Sequence, residues 1–241
     1  MVLPLIVLRS DTMNVRLIAY TEGADHVCNL AAKNCVSEEM PELIELDADG
    51  YECWVDSECK PLKHALASGH ESIAEHATFT FTVEGVSRVT EVQLVRHRIG
   101  ASYAIQSGRY CARDPTNYIM PESVTEDIDD LLAQRIIEYN RALRLLDDCM
   151  VEMGIGAEDR RYFYPQGLKT NIVVTMNGRE LLHFFNLRCC TRAQWEIREL
   201  ADKMLELVKP VAPVIFETAG PSCVKLGRCP EKRSCGRCKT T

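Results

Sequence analysis

The chain has 241 residues, a formal net charge of −7, 46% hydrophobic residues and 26% charged residues. This composition is typical of a globular protein and excludes a disordered or fibrous chain. The negative charge argues against a general nucleic-acid or membrane binder, and twelve cysteines fall below the roughly 8–10% that marks a secreted disulfide scaffold.

The N-terminal segment is apolar but differs from an export signal. No basic residue precedes it, Pro4 interrupts it, and Arg9 and Asp11 end it early, whereas an export signal has a basic start and a longer apolar run. No uncharged apolar stretch approaches the roughly 20 residues of a spanning helix. We therefore expect a cytoplasmic protein that does not enter a membrane and whose cysteines stay reduced.

The clearest element in the first half of the chain is a strand. Residues 77–83 alternate threonine with apolar residues, which is the period of a strand with one buried face, and we expect Gly85 to end it. In chain order, the patterns predict a strand at 15–20, a helix over 27–36, an irregular acidic stretch at 40–60, a short helix at 62–67, the strand at 77–83, a helix at 86–95 with Val89, Val92 and Val95 on one stripe, and a loop at 99–111 with a short strand at its end.

The second half of the chain is mainly helical. Apolar residues at helical spacing predict helices over 126–153, 179–187 and 193–208, and a β-rich run lies at 172–176. This mixture predicts an α+β fold with a central antiparallel sheet flanked by helices. We expect one domain over residues 1–220 and a cysteine-rich basic tail over residues 221–241.

The standard phosphate-binding loops are missing from the sequence. Gly154-Ile-Gly156 is the nearest match to a dinucleotide-binding loop, but Asp159 stands where the third glycine belongs, and no P-loop occurs. These loops bind phosphate through glycine backbone N–H groups at a helix start. A nucleotide site in this chain must therefore be built differently.

One basic segment stands out in this acidic chain. No Asp or Glu occurs from residue 92 to residue 113, and four arginines lie there. Arginine recognises phosphate through two parallel hydrogen bonds, and Ser107-Gly108 adds a hydroxyl and an open backbone N–H. The segment therefore fits an anionic ligand, although a solvated basic face paired with the acidic stretch at 122–130 explains the charges as well.

The same segment carries a resemblance to a known family. Arg96-His-Arg, eight residues, and Ser107-Gly-Arg-Tyr110 resemble the signature of flavin-dependent thymidylate synthases. Further blocks agree in order and spacing, and together they cover roughly residues 14–218. They are His70-Glu-Ser-Ile-Ala-Glu-His76, Gln93, Met176 through Arg188, and Ala193 through Ile197.

The resemblance implies a reaction and its cofactors. The chain would convert dUMP to dTMP, with the methylene group of methylenetetrahydrofolate as carbon source and a hydride from reduced FAD to complete the methyl group. NADPH would reduce the flavin. The resemblance also implies a homo-oligomer, specifically a homotetramer with active sites shared between subunits. The chain is acidic outside two short segments, so we expect no nucleic-acid partner.

The resemblance assigns roles to individual residues. Arg188 would be catalytic, because a fixed cation stabilises the negative charge that develops on the uracil ring. The positions matched to dUMP contacts are Gln93, Arg96, Gln106, Ser107, Gly108, Arg109, Lys169 and Arg188. The positions matched to FAD contacts are His70, Ser72, Arg96, His97, Arg98, Asn177, Arg179 and His183.

Two alternatives stay open at this point. The chain could be a flavoprotein of the same fold that acts on another pyrimidine nucleotide. It could also be a non-enzymatic nucleic-acid-binding module that uses the basic segment and the tail, although such a module normally has a broad basic face with interleaved aromatic residues.

The tail contains four closely spaced cysteines. Cys223, Cys229, Cys235 and Cys238 could bind zinc, because four thiolates can provide a tetrahedral site. One C-x2-C pair with irregular partners is weaker than two such pairs, so labile disulfides or a disordered end are alternatives. The resemblance does not require this tail.

Overall fold

The structure, a computed structural model, describes residues 13–42, 44–46, 52–54, 58–126 and 128–238. The chain forms two compact units. Of the described residues, unit 1 comprises those within 13–14, 83–94 and 104–172, and unit 2 comprises those within 15–82, 95–103 and 173–238.

The strands form two sheets. They are β1 (Asn14–Tyr20), β2 (Ile44–Leu46), β3 (Glu52–Trp54), β4 (Thr78–Ser87), β5 (Ala101–Ile105) and β6 (Lys169–Asn177). The larger sheet has the order β1-β4-β6-β5, and β2 pairs with β3.

Hydrogen bonds set the register of the larger sheet. The backbone N–H of Gln106 donates to the Asn171 carbonyl, and that of Asn177 donates to the Gly100 carbonyl, both at 2.9 Å. The partner number falls as the residue number rises, so β5 and β6 are antiparallel. The predicted α+β fold with an antiparallel sheet flanked by helices is thus confirmed.

The helices are α1 (Ala24–Asn34), α2 (Lys60–Ala67), α3 (Arg88–Leu94), α4 (Glu122–Thr125), α5 (Asp130–Glu152), α6 (Ala157–Arg160), α7 (Gly178–Arg188), α8 (Trp195–Val208) and α9 (Ser222–Leu226), with 3-10 helices at Glu71–His76 and Arg161–Phe163. Each helix that the sequence patterns predict is present, with shifted ends, whereas the short helices α4, α6 and α9 and the two 3-10 helices were not predicted. None of the helices in the described residues is long and apolar enough to cross a membrane.

Unit 2 has an aromatic core. Phe79, Phe184, Phe185 and Phe216 are fully buried, because the apolar face of β4 and one face of α7 point inward. The ring of Phe216 meets the rings of Phe79 and Phe185 edge to face, with centroids 5.3 and 5.9 Å apart. Burial of each ring contributes about 1.5–3 kcal/mol, so this cluster holds α7 firmly in place.

Unit 1 is organised around α5. The Asp129 side chain caps this helix by accepting a hydrogen bond of 2.7 Å from the Leu132 N–H. Tyr118 donates to Asn140 on α5 at 2.9 Å, and Tyr164 donates to Asp147 at 2.7 Å. These bonds tie the segments before and after α5 to its surface.

Two predicted element boundaries are wrong for a physical reason. Gly85 does not end its strand, because its φ of +72° is accessible to glycine and its N–H donates to the Asn171 side chain at 3.1 Å. The long helix begins at Asp130 rather than at residue 126, because the Asp129 cap starts it there.

Three further expectations fail in detail. The stretch at 40–60 contains the hairpin of β2 and β3, with Ile44 opposite Trp54, although residues 43, 47–51 and 55–57 lie outside the described part. β5 lies near the start of the segment at 99–111 rather than at its end. The valine stripe of α3 is not its buried face, because Val89 and Val92 are exposed while Glu91 and Leu94 are buried.

Candidate active site

Three of the sequence blocks meet at the start of α7, within unit 2. Asn177 caps α7, since its side-chain oxygen accepts a 2.8 Å hydrogen bond from the Glu180 N–H. The Asn177 N–H donates to the carbonyl of Gly100, which lies two residues after Arg96-His-Arg. The Gly178 N–H donates to the Ala77 carbonyl at 2.8 Å, directly after the 3-10 helix that holds Ser72.

Two glycines make this close packing possible. A Cβ atom on Gly100 would lie 2.1 Å from the Asn177 side-chain nitrogen, and one on Gly178 would lie 2.7 Å from the Ala74 carbonyl oxygen. Real Cβ atoms do not approach other atoms this closely. Gly100 also has a φ of +72°, which is a second, independent reason for glycine at this position.

The positions matched to FAD contacts all lie in unit 2, and most of them face solvent. The exposed members are His70, Ser72, Arg96, Arg98, Arg179 and His183. Arg179 forms an ion pair with Glu75 of the 3-10 helix. Three exposed guanidinium groups, together with polar side chains at a helix start, are a suitable donor set for the pyrophosphate of a dinucleotide.

His97 and Arg188 form the centre of a buried polar chain. The Nδ1 atom of His97 lies 2.9 Å from Oε1 of Glu180, and Nε of Arg188 donates to Nε2 of His97 at 3.0 Å. Only 5% of His97 and 6% of Glu180 are exposed. Burial, followed by the charge of Arg188, lowers the pKa of His97 to about 4, so the ring is neutral at physiological pH.

Both ring nitrogens of His97 are therefore occupied by protein groups. A flavin contact at this position would use the backbone or a ring carbon instead. Arg188 is half-buried, and burial lowers the pKa of its guanidinium. Only the Nε–H of its five donors is engaged by His97, so the terminal amino groups can serve a ligand.

His183 lines a cavity of about 530 Å³ in unit 2. Asn186 from the same face of α7, Leu66 from α2 and Lys225 from α9 also line it. Lys225 pairs with Glu71 at the beginning of the 3-10 helix. The lining combines apolar with charged side chains, which suits a ligand with an aromatic part and a polar part.

The Ser-Gly-Arg turn lies in unit 1, directly after β5. The Ser107 hydroxyl accepts a 3.1 Å hydrogen bond from the Arg109 N–H, which holds the turn. Arg109 is exposed, stacks over Tyr110 and pairs with Glu158 at 3.1 Å. Its partner is therefore not the acidic stretch at 122–130 that the sequence offered as an alternative.

Gln93, Gln106 and Lys169 complete the unit 1 part of the proposed dUMP set. The Gln93 side chain donates to the Val89 carbonyl at 3.3 Å on α3. The Gln106 N–H extends the pairing of β5 with β6, and the Lys169 N–H donates to the Asn117 carbonyl at 3.1 Å. The other two members, Arg96 and Arg188, belong to unit 2.

Sequence reasoning missed two arginines of unit 1. Arg113 donates to the Gln106 carbonyl, to the Lys169 carbonyl at 3.4 Å and to the Thr170 hydroxyl at 3.3 Å. These bonds fasten the residue that precedes the Ser-Gly-Arg turn to the start of β6. Arg161 lies beside Gly108, where an added Cβ atom would be 3.4 Å from its Cδ. Arg113 stood in the acid-free segment and could have been assigned, whereas only spatial proximity identifies Arg161.

Unit 1 contains a cleft of about 440 Å³ beside the Ser-Gly-Arg turn. Gly108, Arg113 and Arg161 line it together with Arg88, Tyr162 and Tyr164. Three arginines and the backbone of a glycine surround this space, while Arg88 is paired with Glu91 at 3.0 Å. The cleft is therefore electropositive on the side of the Ser-Gly-Arg turn and can accept a phosphate.

The tail packs on the turn that follows α7 in unit 2. Arg237 donates to the Cys189 carbonyl at 3.0 Å, and Glu231 pairs with Arg192 at 2.8 Å. The described cysteines, which include all four of the tail, are free thiols. Within the described part of the chain, no group of three or more His, Cys, Asp or Glu side chains is arranged to hold a metal ion.

Comparison with known proteins gives consistent matches over most of the chain. Residues 16–214 match the family model described as thymidylate synthase complementing protein. The flavin-dependent thymidylate synthase of Geobacter sulfurreducens is 43% identical over 233 residues, which is 93% of this chain and 94% of that protein. The enzyme of the same name from Clostridium tetani is 42% identical over 247 residues, 95% and 96% of the two chains.

A solved structure shares the fold. The UMP/dUMP methylase PolB from Streptomyces cacaoi, bound with 5-Br dUMP, superposes with a TM-score of 0.68 over 86% of this chain and 94% of that one. The two sequences are 23% identical, so this similarity is one of fold.

Proposed function

The chain belongs to the thymidylate synthase complementing protein family, and from this premise we propose how its residues methylate dUMP. It is a flavin-dependent thymidylate synthase, a methyltransferase. The observation that carries the proposal is that three sequence blocks meet at the start of α7 and that one of them, through His97, anchors Arg188 at the end of the same helix. Family membership also accounts for the basic segment, so a nucleic-acid-binding module is no longer needed to explain it.

FAD is the proposed cofactor of unit 2. When bound, FAD in its reduced form would supply the hydride that completes the methyl group. The exposed Arg96, Arg98 and Arg179 side chains provide positive charge for its pyrophosphate, and Asn177 and Ser72 add hydrogen-bonding groups. His70 and His183 complete the flavin set, and the cavity beside His183 supports a bulky ligand there.

The Ser-Gly-Arg turn is the proposed phosphate site for dUMP. The phosphate carries about −2 charge at neutral pH, and Arg109 with the backbone N–H of Gly108 can donate to its oxygens. Ser107 is a binding residue rather than a nucleophile, because a serine needs an adjacent base to attack and its hydroxyl already accepts from the Arg109 N–H. Gln93, Arg96, Gln106 and Lys169 complete the nucleotide contacts.

Arg188 is the proposed catalytic residue. Negative charge develops on the uracil as its C5 attacks the methylene carbon, and a guanidinium fixed beforehand stabilises this charge without having to reorganise. The bond to His97 and the half-buried position support this role, because both restrict Arg188 to one orientation. The pKa of Arg188 is lowered by burial, but arginine stays charged at physiological pH.

We further propose the co-substrates and the assembly that the family resemblance implies. Methylenetetrahydrofolate donates the carbon, NADPH reduces the flavin, and the protein acts in the cytoplasm as a homotetramer. Exposed apolar residues along α5 support an oligomer. They are Leu131, Leu132, Leu145, Leu146 and Val151.

Zinc in the tail stays a prediction of the sequence alone. Metal analysis of protein purified in reducing buffer tests it, and less than about 0.3 zinc per chain would exclude a structural site.

The proposed function is tested by the oxidation of enzyme-bound reduced flavin under anaerobic conditions. We expect the purified protein to be yellow, and its reduced flavin to be reoxidised only when dUMP and methylenetetrahydrofolate are both present. Arg188→Ala should retain FAD but lose turnover by about a hundredfold or more, while Arg198→Ala, on α8 of the same unit, should remain active. A colourless protein that takes up no FAD would refute the proposal.

A further inference from the structure

Glu180 is a buried carboxylate that neither the flavin set nor the dUMP set uses. It lies in the first turn of α7 and is 6% exposed. Burial raises its pKa, which the charges of His183 and Arg179 partly offset. A buried carboxylate is costly unless it has a defined partner, and the partner here is the ring of His97 at 2.9 Å.

The hydrogen bond from Arg188 fixes which nitrogen of His97 carries the proton. Arginine can only donate hydrogen bonds, so Nε2 of His97, which faces Nε of Arg188 at 3.0 Å, must present a lone pair. The single proton of the neutral ring then lies on Nδ1 and is donated to Glu180. The chain therefore has one direction, from Arg188 through His97 to the carboxylate of Glu180.

Glu180 cannot hold Arg188 directly. The two residues are eight positions apart on α7, which is about 12 Å along the axis. Phe184 lies between them on the same face, and its ring meets the His97 ring edge to face with centroids 4.9 Å apart. His97 thus lies across a stripe of Glu180, Phe184 and Arg188 and contacts all three.

The groups around His97 leave it little freedom. Tyr103 donates to the His97 carbonyl, and burial raises the pKa of that phenol, with Glu180 adding to the effect. The ring of His183 lies 5.7 Å from the His97 ring. The charged and titratable groups facing His97 are therefore Glu180, Arg188, His183 and Tyr103, and Glu180 is the acceptor for its ring N–H.

We propose that Glu180 is a positioning residue for dUMP methylation, which acts by holding His97 in the Nδ1–H form so that its Nε2 atom orients the Nε–H of Arg188. This role rests on the proposed function of Arg188. Without the carboxylate, the buried Nδ1–H loses its acceptor, and the imidazole can turn away from Arg188. A guanidinium displaced by about 1 Å can cost on the order of a hundredfold in rate.

The test compares variants at position 180 in the FAD-loaded enzyme. Glu180→Met keeps the volume but removes the acceptor, and we expect kcat to fall about tenfold to a hundredfold, with KM for dUMP and FAD occupancy within about twofold. Glu180→Gln should restore most of kcat. Its side-chain oxygen can accept from Nδ1–H, and the donor-only Arg188 excludes the opposite tautomer.

Glu196→Met is the matched control, because Glu196 is another buried glutamate of unit 2, with 2% exposure. It should lose stability without this loss of kcat. A normal kcat in Glu180→Met, a rise of its KM for dUMP with kcat unchanged, or an equal fall of kcat in both Met variants would overturn the proposal while leaving the proposed function intact. Absence of dTMP formation by the wild type would overturn both.

A second measurement needs no substitution and applies even if Glu180→Met does not fold. The nitrogen chemical shifts of ¹⁵N-labelled histidine in the wild-type holoenzyme report the tautomer of His97. We expect a protonated Nδ1 and an unprotonated Nε2. A protonated Nε2 would contradict the proposal, because Arg188 could not then donate to it.

Discussion

At the scale of single residues, the proposed role of Arg109 in binding the dUMP phosphate can be tested by substitution. It is exposed and its only described ion pair, with Glu158, is also exposed, so the pair contributes little to stability. We expect Arg109→Ala to raise KM for dUMP about tenfold to a hundredfold, the equivalent of one charge-assisted hydrogen bond, with kcat nearly unchanged.

Steady-state kinetics at varied dUMP concentration check this prediction. Arg135→Ala is the control, since Arg135 is also an exposed arginine of unit 1 and pairs with Glu138 at 2.6 Å. Equal KM values for the two variants would show that Arg109 does not bind the nucleotide.

His97 makes stability depend on pH. Its pKa is about 4 in the folded chain and near 6.5 in an unfolded one. Between these values the unfolded chain binds a proton that the folded chain does not, so the free energy of unfolding decreases as the pH falls. The full effect corresponds to about 3 kcal/mol.

Urea denaturation of the wild type and of His97→Gln at about pH 7 and about pH 4.5 isolates this contribution. We expect the stability advantage of the wild type to shrink by about 2 kcal/mol at the lower pH. An advantage that stays constant would mean that His97 titrates alike in both states.

At the scale of elements, the start of α7 depends on glycine at position 100. Gly100→Ala would strain the backbone at φ +72° and push a methyl group into Asn177, so we expect loss of the helix cap and of bound FAD. Gly85→Ala is the matched control, because Gly85 has the same φ and no atom within 4 Å of an added Cβ.

Thermal or urea unfolding of the purified variants measures the loss of stability, and their flavin content measures the loss of bound FAD. The backbone strain alone costs about 1–2 kcal/mol, which we expect for Gly85→Ala with FAD retained. Gly100→Ala should lose about 1 kcal/mol more, the value of an N-cap. Equal stability and equal FAD content of the two variants would contradict the packing argument.

Local sequence patterns predict most of the helices and strands. They do not predict contacts with residues distant in sequence, which decide the buried face of α3 and the end of β4. The alternation at 77–83 predicts β4, and the helical spacing over 179–187 predicts α7, because each pattern reflects a buried face. The stripe of Val89 and Val92 misleads, because α3 buries Glu91 and Leu94 instead. The strand also continues through Gly85, since a side chain from β6 satisfies the glycine N–H.

The residues of the candidate site likewise fall into those that the sequence identifies and those that only the structure reveals. Sequence blocks identify Arg188, His97 and the Ser-Gly-Arg turn, because their order and spacing are characteristic. They do not identify Glu180 or Arg161, since these act through contacts between segments that are 83 residues or more than 50 residues apart. Such contacts exist only once the chain is folded.

At the scale of the whole molecule, the proposal that active sites are shared between subunits predicts how mixed oligomers behave. If one subunit supplies Arg188 and its neighbour supplies the Ser-Gly-Arg turn, Arg188→Ala and Arg109→Glu should each be inactive alone. Co-refolded or co-expressed in equal amounts, they should regain about a quarter of wild-type activity, because about one site in four then receives both intact parts. An inactive mixture of the two variants would mean that each site is built from one chain.

The formation of dTMP is the measurement that tests the central claim most directly. The purified enzyme is incubated with dUMP, methylenetetrahydrofolate, NADPH and FAD, and the nucleotide products are identified by mass. We predict dTMP in the complete mixture, and none when dUMP is omitted or when the bound flavin has been removed from the protein and no FAD is added back. Formation of dTMP without flavin, or its absence from the complete mixture while FAD is bound, would contradict the assignment of this chain as a flavin-dependent dUMP methylase.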